Sequence, residues 1–163
     1  MKKMTKVISL ALALVMCLAL CACGQKDSGD TAADGKKTFV MGVDPEYPPF
    51  SYLGDDGKYT GFDVEIAQAA CDLLGWDLQV FGVNWDQKLV QLDAKECDCV
   101  WSGMTILDEE LGAEQYGIAF RSGDQELCDT IEGAVQQLVE NGTYAKIAAK
   151  YPDIINNLTY LNK

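Results

Sequence analysis

The side chains in this sequence that could do chemistry are acids, thiols and aromatic rings, and the absences narrow them quickly. The 163 residues contain no histidine and a single arginine, Arg121. The Cys97-Asp98-Cys99 pair has no second pair of ligands to complete a tetrahedral set, so a zinc site does not fit. On a strand those two thiols would share a face about 7 Å apart, too far for a good disulfide. Cys71 and Cys128 fall inside helical patterns, so all four are expected to be free, small and apolar. Asp108-Glu109-Glu110 is an acidic run of the kind that forms a solvated turn. No pair of groups suggests an enclosed acid–base site, so neither an enzyme, a cofactor nor a metal is expected. Two stretches instead suggest contact with a ligand. One is PEYPPFSYLGDDGKYTG (45–61), with three prolines, three glycines and four rings, read as an irregular loop that either covers the core or forms an aromatic wall. The other is WSGMT (101–105), where the Ser102 and Thr105 hydroxyls sit at a strand end, satisfying backbone there or lining a polar loop.

The elements around these stretches follow from hydrophobic periodicity. TFVMGVD (38–44) is a short apolar run ending at a turn, a buried strand. FDVEIAQAACDLLG (62–75) places Phe62, Ile66, Ala69, Ala70, Leu73 and Leu74 on one helical face, with Gly75 as a stop. A strand follows at Leu78, Val80 and Phe81. Trp85, Leu89 and Leu92 have helical spacing over 85–96, and CDCVWSGM (97–104) is a third strand. QYGIAFR (115–121) is a fourth. Leu127, Ile131, Val135 and Leu138 predict a helix over 124–141, ended by Gly142, and TYAKIAAKY predicts another before Pro152. The last residues, 153–163, carry no clear signal. Strand–helix alternation through residue 104 predicts an α/β fold with a parallel sheet and covering helices.

The chain opens with Lys2, Lys3 and Lys6, then an apolar run over 7–20 that is short for a membrane span. A small residue before a cysteine, Ala22-Cys23, is the pattern of a bacterial lipoprotein signal. It implies a signal peptide over 1–22, with lipid on the Cys23 sulfur; the alternative is an ordinary signal peptide with an A-x-A-like site. Residues 24–37, GQKDSGDTAADGKK, have no large apolar side chain and read as a tether with a reach of roughly 20 Å. From Cys23 onward the chain keeps 25 acids and ten basic residues, a formal charge of −15. That excludes a nucleic-acid partner and suits a domain held off an anionic membrane. The folded part is then 38–163, one domain of 126 residues.

GVDPEYPPFSY, GKYTGFDVEIAQA, WSGMT, EQYGIAFRSGDQEL and ENGTYAKIAAKY, in this order, resemble the family-3 extracytoplasmic solute-binding proteins, receptors of polar amino acid ABC importers. The resemblance implies two lobes around a ligand cleft, the second inserted after the SGMT-like loop and before the QYGIAF-like strand. In this sequence that insertion is missing. The expected fold is therefore a single periplasmic-binding-protein-like lobe, its sheet mostly parallel with one antiparallel strand and helices on both faces. It is built from residues 38–107 and 115–152 with a tail at 153–163, and residues 108–114 form the linking loop. By residue-level analogy the ligand side is Asp44, the Tyr47 and Phe50 wall, Trp85 at a helix start, and the Ser102, Gly103 and Thr105 loop for the ligand carboxylate. The family's carboxylate-forking arginine is replaced by Glu110. The implied role is delivery of a polar amino acid, weakly held, to an ABC permease from a lipid anchor on the extracytoplasmic face of the membrane. The alternatives are an interaction module that uses the cleft face, through Tyr47, Phe50, Trp85 and Trp101, for a weak homodimer or another partner; a decayed or engineered fragment; and, on the strength of dehydratase relatives, an enzyme.

Overall fold

A computed structural model describes residues 35–104, 115–158 and 160. Cys23, tether residues 24–34, Thr105, Glu110 and the 108–114 link lie outside the described residues, whereas the tether's last residue, Lys37, lies against the fold, its carbonyl accepting from Asp77 N. Four strands form the main sheet: β1 (Thr38–Val43), β5 (Asp77–Gly82), β6 (Cys99–Met104) and β7 (Gln115–Phe120), in the order β5-β1-β6-β7. β1 runs parallel to both β5 and β6, and β7 pairs antiparallel with β6 from Cys99↔Phe120 to Met104↔Gln115. An antiparallel neighbour can return through a short link, which a parallel one cannot.

Strand alternation splits the sheet into two faces. Phe39, Met41, Val43, Cys99 and Trp101 point into the larger core. Three helices cover this face: α1 (Phe62–Leu74), α3 (Gln125–Glu140) and α4 (Thr143–Ala148). Val83, Val100 and Cys97 belong to a smaller cluster on the other face, closed by Leu92 of α2 (Lys88–Asp93) and flanked by Trp85. The sheet is thus mostly parallel with helices on both faces.

Three expectations need correction. The 45–61 stretch is not irregular: β2 (Glu46–Tyr47), β3 (Ser51–Leu53) and β4 (Tyr59–Thr60) make a small antiparallel sheet, turning at Gly57 with φ 75°. The helix expected over 85–96 is a 3₁₀ turn (Trp85–Gln87) followed by the six residues of α2, and Leu89 is 58% exposed. The chain leaves α2 through Lys95, a non-glycine residue at φ 63°. Cys97 and Cys99 do not share a face, because Cys97 precedes the regular strand; all four cysteines from Cys71 on are free. The residues after Pro152, which carry no periodic signal, send Ile154 and Leu158 into the larger core.

α1 has the expected span, but its buried face is shifted from the expected one: Leu73, expected on it, is 43% exposed. Ile66, Ala67, Ala70 and Cys71 are buried, Leu73 is not, and Gly75 closes the helix in the left-handed conformation with Trp76 N donating to Cys71 O. Arg121 leaves β7 and closes the opposite end of the sheet. Its guanidinium donates to the Leu92 and Cys97 carbonyls and pairs with Asp98 at 3.4 Å and Asp124 at 2.7 Å. Asp98 in turn accepts from Val40 N.

Candidate functional site

The parallel strands β5, β1 and β6 all end at the same edge, and open α/β sheets take ligands outside that carboxyl edge, at the crevice where connections depart in opposite directions. Here β1 leads back through α1 to β5, whereas β6 leads to β7 on the other side. The crevice therefore lies between the ends of β1 and β6. Met41↔Cys99 and Gly42↔Val100 are paired, and extending that register by two residues brings Asp44 level with Ser102.

The residues after β1 hold one another in place. Asp44 Oδ1 accepts from Glu46 N at 2.9 Å, and the Asp44 carbonyl accepts from the buried Ser51 hydroxyl at 2.7 Å. Phe50 N donates to Tyr47 O across a turn containing the cis Pro48–Pro49 bond. Tyr47 and Phe50 stack with centroids 5.5 Å apart, and Phe50 meets Phe62 edge to face at 6.4 Å. The two rings thus stack on each other and are continuous with the core. Two backbone bonds dock them on α1: Phe62 N to Pro49 O and Asp63 N to Phe50 O.

Asp44, Tyr47, Phe50, Ser102 and Gly103 are gathered at one end of the sheet. Trp85 is not with them. It stands at the same edge but packs on the smaller cluster across the sheet, with Lys88 Nζ 4.5 Å from its ring centroid. Thr105 lies outside the described residues. Trp101, expected at the surface, is only 8% exposed, because it shares strand parity with Cys99 and faces the helices. Arg121 sits beside Cys97 and Asp98, before β6 begins, so it is at the far edge and cannot fork a ligand carboxylate at Ser102.

Sequence reasoning missed Asp63. It occupies the first turn of α1, is 5% exposed, and its Oδ2 has no partner among the described residues. Burial raises its pKa to about 8. Asp63 lies on a cavity of about 670 Å³ between the sheet and its helices, together with Phe50, Trp101 and Ser102, whose hydroxyl also lacks a described partner. The spacing 63, 66, 67, 70 is the buried stripe of α1, so the position was readable although the residue type argued against it. Among the described residues no group of three His, Cys, Asp or Glu could hold a metal.

A mostly parallel sheet with helices on both faces and one antiparallel returning strand is a periplasmic-binding-protein-like fold. Residues 39–116 match the model of the bacterial extracellular solute-binding proteins, family 3, and the chain belongs to that family. It is 37% identical over 110 residues to the L-cystine-binding protein TcyJ of Escherichia coli (strain K12), which covers 68% of this chain and 38% of that protein. It is 30% identical over 135 residues to the arginine-binding extracellular protein ArtP of Bacillus subtilis (strain 168), covering 83% and 52%. The chain therefore spans about 38–52% of the length of these two relatives. The arginine-bound form of domain 1 from TmArgBP has a similar structure, with a TM-score of 0.55 and 30% identity, over 62% of this chain and 93% of that one.

Proposed function

We propose that this chain is a single-lobe amino acid receptor of an ABC transporter, tethered by lipid on Cys23 to the extracytoplasmic face of the membrane. In this reading residues 1–22 are its signal peptide, 23–37 its tether and 38–163 its one lobe. The observation that carries the proposal is the closure of β6 onto β7. The two strands pair along their whole described length, and only ten residues of sequence separate Met104 from Gln115, where the resemblance implies an inserted lobe. The ligand surface is Asp44, Tyr47, Phe50, Ser102, Gly103 and Thr105; Trp85 contributes only from across the sheet. An arginine-bound domain 1 of a relative supports binding by one lobe alone.

Binding is weak in this reading. Glu110 stands where the resemblance places the carboxylate-forking arginine, and Arg121 is engaged at the far edge. Hydrogen bonds to charged groups contribute about 1.5–3 kcal/mol each, so loss of a forked pair weakens binding by more than tenfold. Calorimetric titration with arginine and cystine, the ligands named for the relatives, is expected to give dissociation constants above the micromolar range. A micromolar or tighter value would overturn the weak-binding half of the proposal. No saturable binding at all, together with concentration-dependent association in sedimentation, would favour the interaction-module reading, for which Leu89 and Val90, 58% and 68% exposed beside Trp85, are the supporting observation. The anchor is tested by mass spectrometry of the mature N-terminus. A diacylglyceryl-modified Cys23 is expected, and Cys23→Ala should release the protein from membranes; an unmodified terminus elsewhere rejects it.

A further inference from the structure

We propose that the outer edge of β7 is a self-association surface, on which a second copy of this chain pairs its own β7 antiparallel and continues the main sheet across a two-fold axis. β7 (Gln115–Phe120) is the last strand in the order β5-β1-β6-β7 and is paired on one side only, with β6. Alternate residues of such a strand turn their backbone N–H and C=O groups outward, where another strand can take them. Proteins usually blunt an edge of this kind with charge, proline or a bulge. QYGIAF has no charge and no proline, and its register against β6 runs unbroken from Met104↔Gln115 to Cys99↔Phe120, so it has no bulge. The opposite edge differs. β5 opens on Asp77, with Lys36 Nζ 3.8 Å from its carboxylate.

Two features of β7 select a second copy as the occupant. The first is neutrality. The chain has a formal net charge of −12, so its copies repel one another. A strand of uncharged residues lets two of them meet without opposing like charges. The second is self-complementarity. A two-fold axis normal to the sheet sets one residue opposite itself and keeps each face with its own kind. With Ile118 on the axis, Ile118 falls opposite Ile118, Gly117 opposite Ala119 and Tyr116 opposite Phe120. Moving the axis to Gly117 would set Glu114 against Phe120, and moving it to Ala119 would set Arg121 against Gly117. The packing agrees with the first register. Ile118 and Phe120 rest on the larger core yet stay only partly buried, and with Trp101 they line the cavity of about 670 Å³. A second copy brings its own Ile118 and Phe120 to the same side of the sheet and carries the apolar layer past the edge. Gly117 is exposed, and a Cβ there would meet nothing within 4 Å, so the strand is bare at that point among the described residues.

This interface uses no residue of the proposed ligand surface, nor Leu89 and Val90, so it is tested apart from both. Sedimentation equilibrium of the intact chain is expected to show monomer and dimer exchanging with concentration and nothing larger, because an isologous pair closes on itself. Gly117→Lys is expected to keep the circular dichroism of the natural protein, since the site is open, and to weaken the dimer at least about tenfold by placing a charge on the edge. Register is read by cross-linking. Gly117→Cys mixed with Ala119→Cys under mild oxidant is expected to give a disulfide-linked dimer, because the two positions are opposed. Either variant alone should stay near the background of the natural chain, since identical positions then lie diagonally, roughly 7–8 Å apart, too far for a good bridge. A chain that stays monomeric, or that grows past the dimer, overturns the proposal. So does a dimer that Gly117→Lys leaves intact, which would point instead to Leu89 and Val90. Single variants that link as well as the mixture overturn it too. If Gly117→Lys fails to fold, sedimentation of the natural chain and the cross-linking ranking still decide the matter.

Discussion

Gly61→Ala is expected to destabilise the fold by more than about 3 kcal/mol and to detach the aromatic wall from the sheet. Gly61 is the residue before α1 and has φ 123°, a conformation L side chains rarely adopt. A Cβ there would lie 2.4 Å from the Phe50 carbonyl oxygen and 2.6 Å from its carbon. Both are backbone atoms, so no side chain can swing aside. The Phe50 carbonyl accepts from Asp63 N and the Pro49 carbonyl from Phe62 N. Pushing residues 49 and 50 away would break both bonds, which dock Phe50 against Phe62, and would leave two first-turn amides of α1 unpaired inside the protein. The effect combines backbone strain, lost hydrogen bonds and an unseated ring, placing it in the small class of severely destabilising substitutions. Urea unfolding should show a lower midpoint. Any variant that remains folded should also lose the ring-current shifts that Phe50 places on Phe62 in the NMR spectrum. A change under about 1 kcal/mol would mean that the wall is not held as described.

The sequence carries the main sheet and the long helices well, because each rests on a strong local signal. α1 repeats apolar residues every three or four positions and stops at Gly75; α3 does the same with Ile131, Val135 and Leu138 and is followed by Gly142. The small β2-β3-β4 sheet was illegible for an opposite reason. Its strands are two or three residues long, too short for alternation, and the prolines and glycines around them read as punctuation. Trp101 was misplaced because parity assigns it to a face without saying which face α3 will cover. Arg121 was in fact legible. Once the returning strand is antiparallel, its last residues must lie beside the start of β6, as Phe120↔Cys99 shows, and hence away from the ligand edge. Asp63 escaped because a search for apolar periodicity discards an acid even when it occupies the buried register.

Asp63 also leads to the expectation with the widest range: stability should fall by about 2–3 kcal/mol between pH 5 and pH 7 and keep falling to pH 8, and Asp63→Asn should abolish the fall. Burial lifts the folded-state pKa of Asp63 from 3.8 to about 8. Below the lower value both states carry the proton and the fold keeps its full stability. Above it the unfolded chain ionises freely while the folded protein holds the proton, so each pH unit costs the fold about 1.4 kcal/mol until the upper value is passed. Other shifted groups act outside this window. Glu65 is pulled in opposite directions, upward by burial and downward by hydrogen bonds from Lys150 and Tyr151, with a net lowering that makes its contribution fade only in acid. Burial pushes the Cys71 thiol up to about 12 and the Cys97 thiol to about 11, so their contributions change only in alkali. Among the described residues the slope between pH 5 and pH 8 therefore belongs to Asp63. Asparagine keeps the shape of the side chain and cannot ionise, so the variant should lead the natural protein by a margin that widens by about 1.4 kcal/mol per pH unit from pH 5 to pH 8. Urea unfolding of both proteins at pH 5, 6.5 and 8 measures it. Parallel pH profiles would show that the Asp63 carboxyl titrates normally in the folded protein.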